Sequence, residues 1–127
     1  MSEPRFLTLE QVERLQAKLI DRFGGTHGLR DPLLYEGAVI HPCNVYYYAQ
    51  GDYFDVAAAY AVHIAQAQAF LDGNKRTGMA AALVFLEING VSLPAATERL
   101  HEAMIAIAEK SMDKVRLTEL FRELSAS

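Results

Sequence analysis

At 127 residues, the chain has room for one domain, taken here as residues 1–127, and too little for two. Apolar residues make up 51% and charged residues 22%, which excludes a disordered segment, and the net charge of −4 argues against a broad nucleic-acid-binding face. The single cysteine, Cys43, excludes an intrachain disulfide; the start, Met1-Ser2-Glu3-Pro4-Arg5, does not read as a signal peptide, and every apolar run is broken by a polar residue, so we expect a cytoplasmic protein without a membrane span.

Thr8 to Gln11 matches a capping box, and Leu9, Val12, Leu15, Leu19 and Ile20 follow at helical spacing until Gly24-Gly25. Asp31-Pro32 reads as an N-cap with proline at the first helical position, opening a short helix that carries Leu33, Leu34, Ala38 and Val39 and stops before His41-Pro42. Cys43 to Phe54 is aromatic and irregular, expected as a connection with a short extended piece whose rings pad the core edge, with a flap beside a site as the alternative. Asp55 is placed to cap a long helix running to about Leu71, apolar on almost every face. A second such helix runs from Lys75 to Asn89 and ends at Gly90. Thr97 caps a fifth helix with Leu100, Met104, Ile105 and Ile107, and a sixth covers Leu117 to Leu124. The expectation is an all-α, compact bundle of about six helices around two central ones.

Between the central helices lies Leu71-Asp72-Gly73-Asn74-Lys75-Arg76. Gly73 can take the positive φ of a tight turn, and Asn74 is a good N-cap. Lys75 and Arg76 then sit in the first turn of a helix, where its dipole disfavours each cation by about 0.3–1 kcal/mol. An anion held there reverses that penalty, because free N–H groups already point outward. The pattern suits a phosphate, with Asp72 able to hold Mg²⁺ bound to it. The same spacing is equally satisfied by an Asp-Gly turn whose cations are solvated or pair with Asp72. No P-loop and no Gly-x-Gly-x-x-Gly is present. His63 lies five positions before Gln68, and His27, His41 and His101 show no metal-ligand spacing.

The run Gln68-Ala69-Phe70-Leu71-Asp72-Gly73-Asn74-Lys75-Arg76 resembles the signature loop of the Fic/Doc family, His-x-Phe-x-Asp/Glu-Gly/Ala-Asn-Lys/Gly-Arg. Gly24-Gly25, Leu29-Arg30-Asp31, Phe54 and Phe85-Leu86-Glu87-Ile88-Asn89-Gly90 extend the likeness over most of the chain. Lys75 after the asparagine, and Met79 in place of a second arginine, favour the Doc (death on curing) branch over the adenylyl-transferring one. The resemblance implies a toxin that moves the γ-phosphate of ATP to a threonine of elongation factor Tu. It also implies an antitoxin whose C-terminal segment folds across the toxin's groove. By position, Asp72 handles metal or phosphate geometry, Gly73 and Asn74 supply loop contacts, Lys75 and Arg76 clamp phosphates, and Phe70 anchors the loop. The family's histidine, its general base, falls on Gln68, and its usual following proline on Ala69. An amide cannot accept that proton, and losing a positioned base typically costs about 10²–10⁴ in rate. A catalytically inactive nucleotide- or partner-binding protein is therefore the alternative. A helical domain of unrelated role, such as a DNA-binding helix-turn-helix, is disfavoured by the acidic balance.

Overall fold

The computed structural model describes residues 3–93 and 97–126. Six helices follow one another: α1 (Leu9–Phe23), α2 (Pro32–Tyr47), α3 (Tyr53–Ala67), α4 (Asn74–Ile88), α5 (Thr97–Ala108) and α6 (Lys114–Ser125). Among the described residues there is no strand, and the one extended pairing is an antiparallel bridge between Leu29 and Phe70. The all-α, six-helix expectation holds.

Helices α3 and α4 form the centre. Val56 to Val62, Ile64 and Ala65 are all buried on α3, and Thr77, Gly78, Met79, Ala81, Ala82, Phe85 and Leu86 on α4. The two pack against each other through small residues. A Cβ added at Gly78 would lie 2.6 Å from the Ala61 carbonyl oxygen and 3.2 Å from the Ala65 nitrogen. Helices α2 and α6 cover α3, α1 covers α4, and α5 packs on both. Helix α1 starts at the expected capping box, with the Thr8 and Gln11 side chains each accepting from the other's backbone N–H. Helix α4 ends in a Schellman motif, with Val91 N–H donating to Leu86 O and Gly90 N–H to Glu87 O.

The bounds of α2 and α3 differ from the sequence reading, and α6 begins at Lys114, about one turn before Leu117. Helix α2 does not stop at His41-Pro42, and Cys43 to Tyr47 is helical rather than irregular. Proline inside a helix costs about 3 kcal/mol. Here Tyr35, Ala38, Val39, Pro42 and Val45 are buried at helical spacing, so one continuous stripe packs against the core on both sides of the proline. Helix α3 is capped by Asp52, not Asp55, and ends at Ala67 rather than near Leu71. Asp52 accepts from Asp55 N–H at 3.0 Å while Asp55 accepts from Asp52 N–H at 2.9 Å. The two carboxylates thus form a reciprocal box, and Asp55 is its inner member. The cap expected at Thr97 rests on a side chain outside the described residues.

A half-buried imidazole pair joins α2 to α3. The His41 and His63 ring centroids are 3.9 Å apart, and His63 Nε2 is buried without a hydrogen-bond partner. Burial, then His41 and Lys114, push the His63 pKa down to about 4. Its ordinary value is 6.5, so as pH falls from there toward 4 the unfolded chain takes up a proton that the folded chain refuses. Stability contributed by neutral His63 is therefore complete above that window and lost as the medium becomes acidic. Partial exposure discounts the full shift, and we expect about 1–2 kcal/mol to be lost across the window. Urea titrations at pH 7 and pH 5 on the natural chain and on His63→Gln test this: the variant should show the smaller difference between the two.

Candidate functional site

The loop between α3 and α4 is built by two main-chain turns and two side-chain contacts. Gln68 turns the chain off α3 in the left-handed region, with φ 51 and ψ 41. Ala69 and Phe70 are buried, and the Phe70 ring packs on Tyr35 with centroids 5.0 Å apart. Gly73, at φ 76, reverses the chain into α4. Asn74 is the first residue of that helix and not its cap. Its side-chain oxygen accepts from Phe70 N–H at 3.0 Å, and its amide donates to Phe70 O at 3.1 Å. The positive φ at Gly73 swings Asn74 back over the loop, where its amide satisfies both polar groups of Phe70. Among the described residues no side chain caps α4, so the N–H groups of its first turn keep no side-chain partner there.

Lys75 and Arg76 occupy that uncapped turn. Among the described residues neither has a carboxylate partner. Lys75 is exposed, and the Arg76 guanidinium lies over the Phe23 ring at 4.3 Å from its centroid. Asp72 does not neutralise them. Its Oδ2 instead accepts from Thr26 N–H at 2.7 Å. The arrangement leaves two cations and a free helix N-terminus together, with the carboxylate beside them held in one setting by the main chain.

The partner of this loop is the segment joining α1 to α2. Leu71 N–H donates to Gly28 O at 3.0 Å, and Arg30 and Asp31 N–H both donate to Ala69 O, at 2.7 and 3.0 Å. The Arg30 side chain donates twice to the Gln68 carbonyl, at 3.0 and 2.6 Å. Gly25, at φ +118, has no room for a side chain: a Cβ there would lie 3.0 Å from Asp72 Cβ and 3.0 Å from Ile20 Cδ1. Sequence reasoning missed Gln16, Phe23, Thr26 and Arg30 as neighbours of the loop. Gly24-Gly25 and Leu29-Arg30-Asp31 entered only as points of likeness, and their spacing carries no sign of contact with residues some forty positions on. His27 sits on this segment too, and its Nε2 is 2.8 Å from Asp21 Oδ1. His63 packs half-buried against His41 instead.

A model of the Fic/DOC family matches residues 6–86, which span α1 to α3, both loops just described and most of α4. The chain belongs to the Fic/DOC family. Over 90 residues it is 37% identical to the protein kinase doc of Escherichia phage P1, covering 70% of this chain and 71% of that protein. Over 95 residues it is 40% identical to the toxin Doc of Mycolicibacterium smegmatis, covering 72% and 73% respectively. Within this Fic/DOC chain, no group of three or more His, Cys, Asp or Glu side chains among the described residues is placed to hold a metal unaided. A cation at Asp72 would need oxygens from a bound phosphate, the usual way Mg²⁺ is held beside nucleotides. Asp72 fits that role, because only one of its carboxylate oxygens is taken by the protein. No helix among the described residues is long and apolar enough to cross a membrane.

Proposed function

We propose that this chain is a Doc-like toxin of a toxin–antitoxin pair that uses ATP to phosphorylate a protein hydroxyl. The observation that carries the reading is the uncapped start of α4, where Lys75 and Arg76 face no carboxylate among the described residues. The names of two relatives, one a protein kinase and one a toxin, support it. Lys75, Arg76 and the first N–H groups of α4 bind phosphate oxygens, Gly73 lets the backbone approach, and Asn74 holds the loop's shape. Asp72 offers its remaining oxygen to Mg²⁺, which would supply charge neutralisation on the phosphates. The transfer forms a bond from the target oxygen to the γ-phosphorus and breaks the β–γ bridge, releasing ADP. By family resemblance the target is a threonine of elongation factor Tu, and an antitoxin segment covers the groove.

Gln68 stands, by the same resemblance, where the family carries its general base. Its carboxamide is exposed, and it can orient a hydroxyl but not take the proton, which then passes to a phosphate oxygen or water. This favours slow transfer, and it motivates the second reading: a chain that binds nucleotide or a partner protein without turnover.

The test uses ATP labelled separately at the α and γ positions, elongation factor Tu, and calorimetry of ATP binding. We expect γ-label on the target at a low rate with the natural chain, and a rate at least about 10²-fold higher with Gln68→His. Binding of ATP without label from either protein supports the inactive reading instead. Transfer of the α-label identifies a nucleotidyl transferase. Absence of ATP binding overturns the assignment of the site.

A further inference from the structure

The buried stripe of α1 consists of Val12, Gln16 and Ile20, spaced four residues apart. Two are aliphatic, and the third is a carboxamide only 2% exposed. A polar side chain in such a place must find partners, and Gln16 finds two on the functional loops. Its Nε2 donates to the Asp72 carbonyl at 3.1 Å and to the Thr26 carbonyl at 3.3 Å. These are the two residues that also bond directly, Thr26 N–H to Asp72 Oδ2 at 2.7 Å. Asp72 is thus fixed twice, at its main chain by Gln16 and at its side chain by a segment that Gln16 holds. Because Gly25 has no Cβ, the Asp72 side chain can lie close against it.

We propose that Gln16 is a positioning residue of this site. It latches the 24–28 segment onto the motif loop and so sets the Asp72 carboxylate for a phosphate-bound divalent cation. The proposal rests on the reading of the site given above. It goes beyond that reading by assigning the affinity for the cation, as distinct from that for the phosphates, to a side chain that touches neither. Lys75 and Arg76 project from α4 and, among the described residues, make no hydrogen bond to Gln16 or to the 24–28 segment; Arg76 rests on Phe23 of α1, ahead of that segment. Loss of Gln16 should therefore separate the two affinities, which a merely structural glutamine would not do.

Gln16→Met keeps the length of the side chain and removes both donors. Gly25→Ala crowds Asp72 without touching Gln16. Amide hydrogen exchange and calorimetric ATP titrations with and without Mg²⁺ are measured on both variants and on the natural chain. The expected result for each variant is exchange about ten-fold faster at Thr26 and Leu71, with the α3 amides unchanged. The strengthening of ATP binding by Mg²⁺ should shrink by about the same factor, while ATP affinity without Mg²⁺ stays within about two-fold. Natural exchange rates at Thr26 and Leu71 in both variants overturn the latch. So does an equal loss of ATP affinity in the two buffers. If the natural chain binds no ATP in either buffer, the reading of the site fails, and the exchange rates alone decide whether Gln16 holds the two loops together.

Discussion

Replacing Lys75 and Arg76 together by alanine is expected to weaken ATP binding at least about 100-fold, since each charge-assisted hydrogen bond contributes about 1.5–3 kcal/mol. The same double substitution should leave the fold intact. Removing two cations from the positive end of the α4 dipole favours the folded chain by about 0.3–1 kcal/mol each. Loss of the Arg76 stack on Phe23 opposes this by about 0.5–1 kcal/mol. The expected signature is a sharp fall in affinity at a melting temperature close to that of the natural chain. Calorimetric titration with ATP and Mg²⁺, paired with thermal unfolding, measures both. Unchanged affinity would show that the cations face solvent for no purpose and would end the phosphate assignment.

The second large effect lies in the core. Gly78→Ala is expected to destabilise the chain by about 1–3 kcal/mol, although alanine is the better helix former by about 1 kcal/mol. The reason is the 2.6 Å approach of the absent Cβ to the Ala61 carbonyl oxygen. That obstacle is main chain, which cannot swing aside as a flexible side chain does. Gly37 on α2 supplies the control, since a Cβ there meets nothing within 4 Å and Gly37→Ala should stabilise by helix propensity alone. Denaturant titrations of the two variants should move in opposite directions. Equal shifts would mean that α3 and α4 are not held at this contact.

The apolar character of α3 and α4 was legible because burial on nearly every face leaves no polar stripe, and Gly90 marked a helix end that the structure bears out. The charged loop was legible for the opposite reason, because two cations at a helix start conflict with the dipole. What could not be read was anything decided by contact at a distance. Pro42 looked like a stop because the cost of a proline is local, whereas the burial of Val45 beyond it is tertiary. Asn74 looked like a cap because cap preference is a statement about residue type. Only the turn at Gly73 determines that its amide reaches Phe70 instead. Gln16 was invisible for the same reason: a lone glutamine on an amphipathic helix reads as surface until the loops that receive its donors are in place.

Position 68 is governed by its main chain. The grip of Arg30 on its carbonyl is indifferent to what the exposed side chain is, and the left-handed turn there disfavours chiefly β-branched residues. What the exposed side chain does is thereby largely separated from how the loop folds. An exchange of this side chain among residues that accept the turn therefore leaves the rest of the molecule undisturbed.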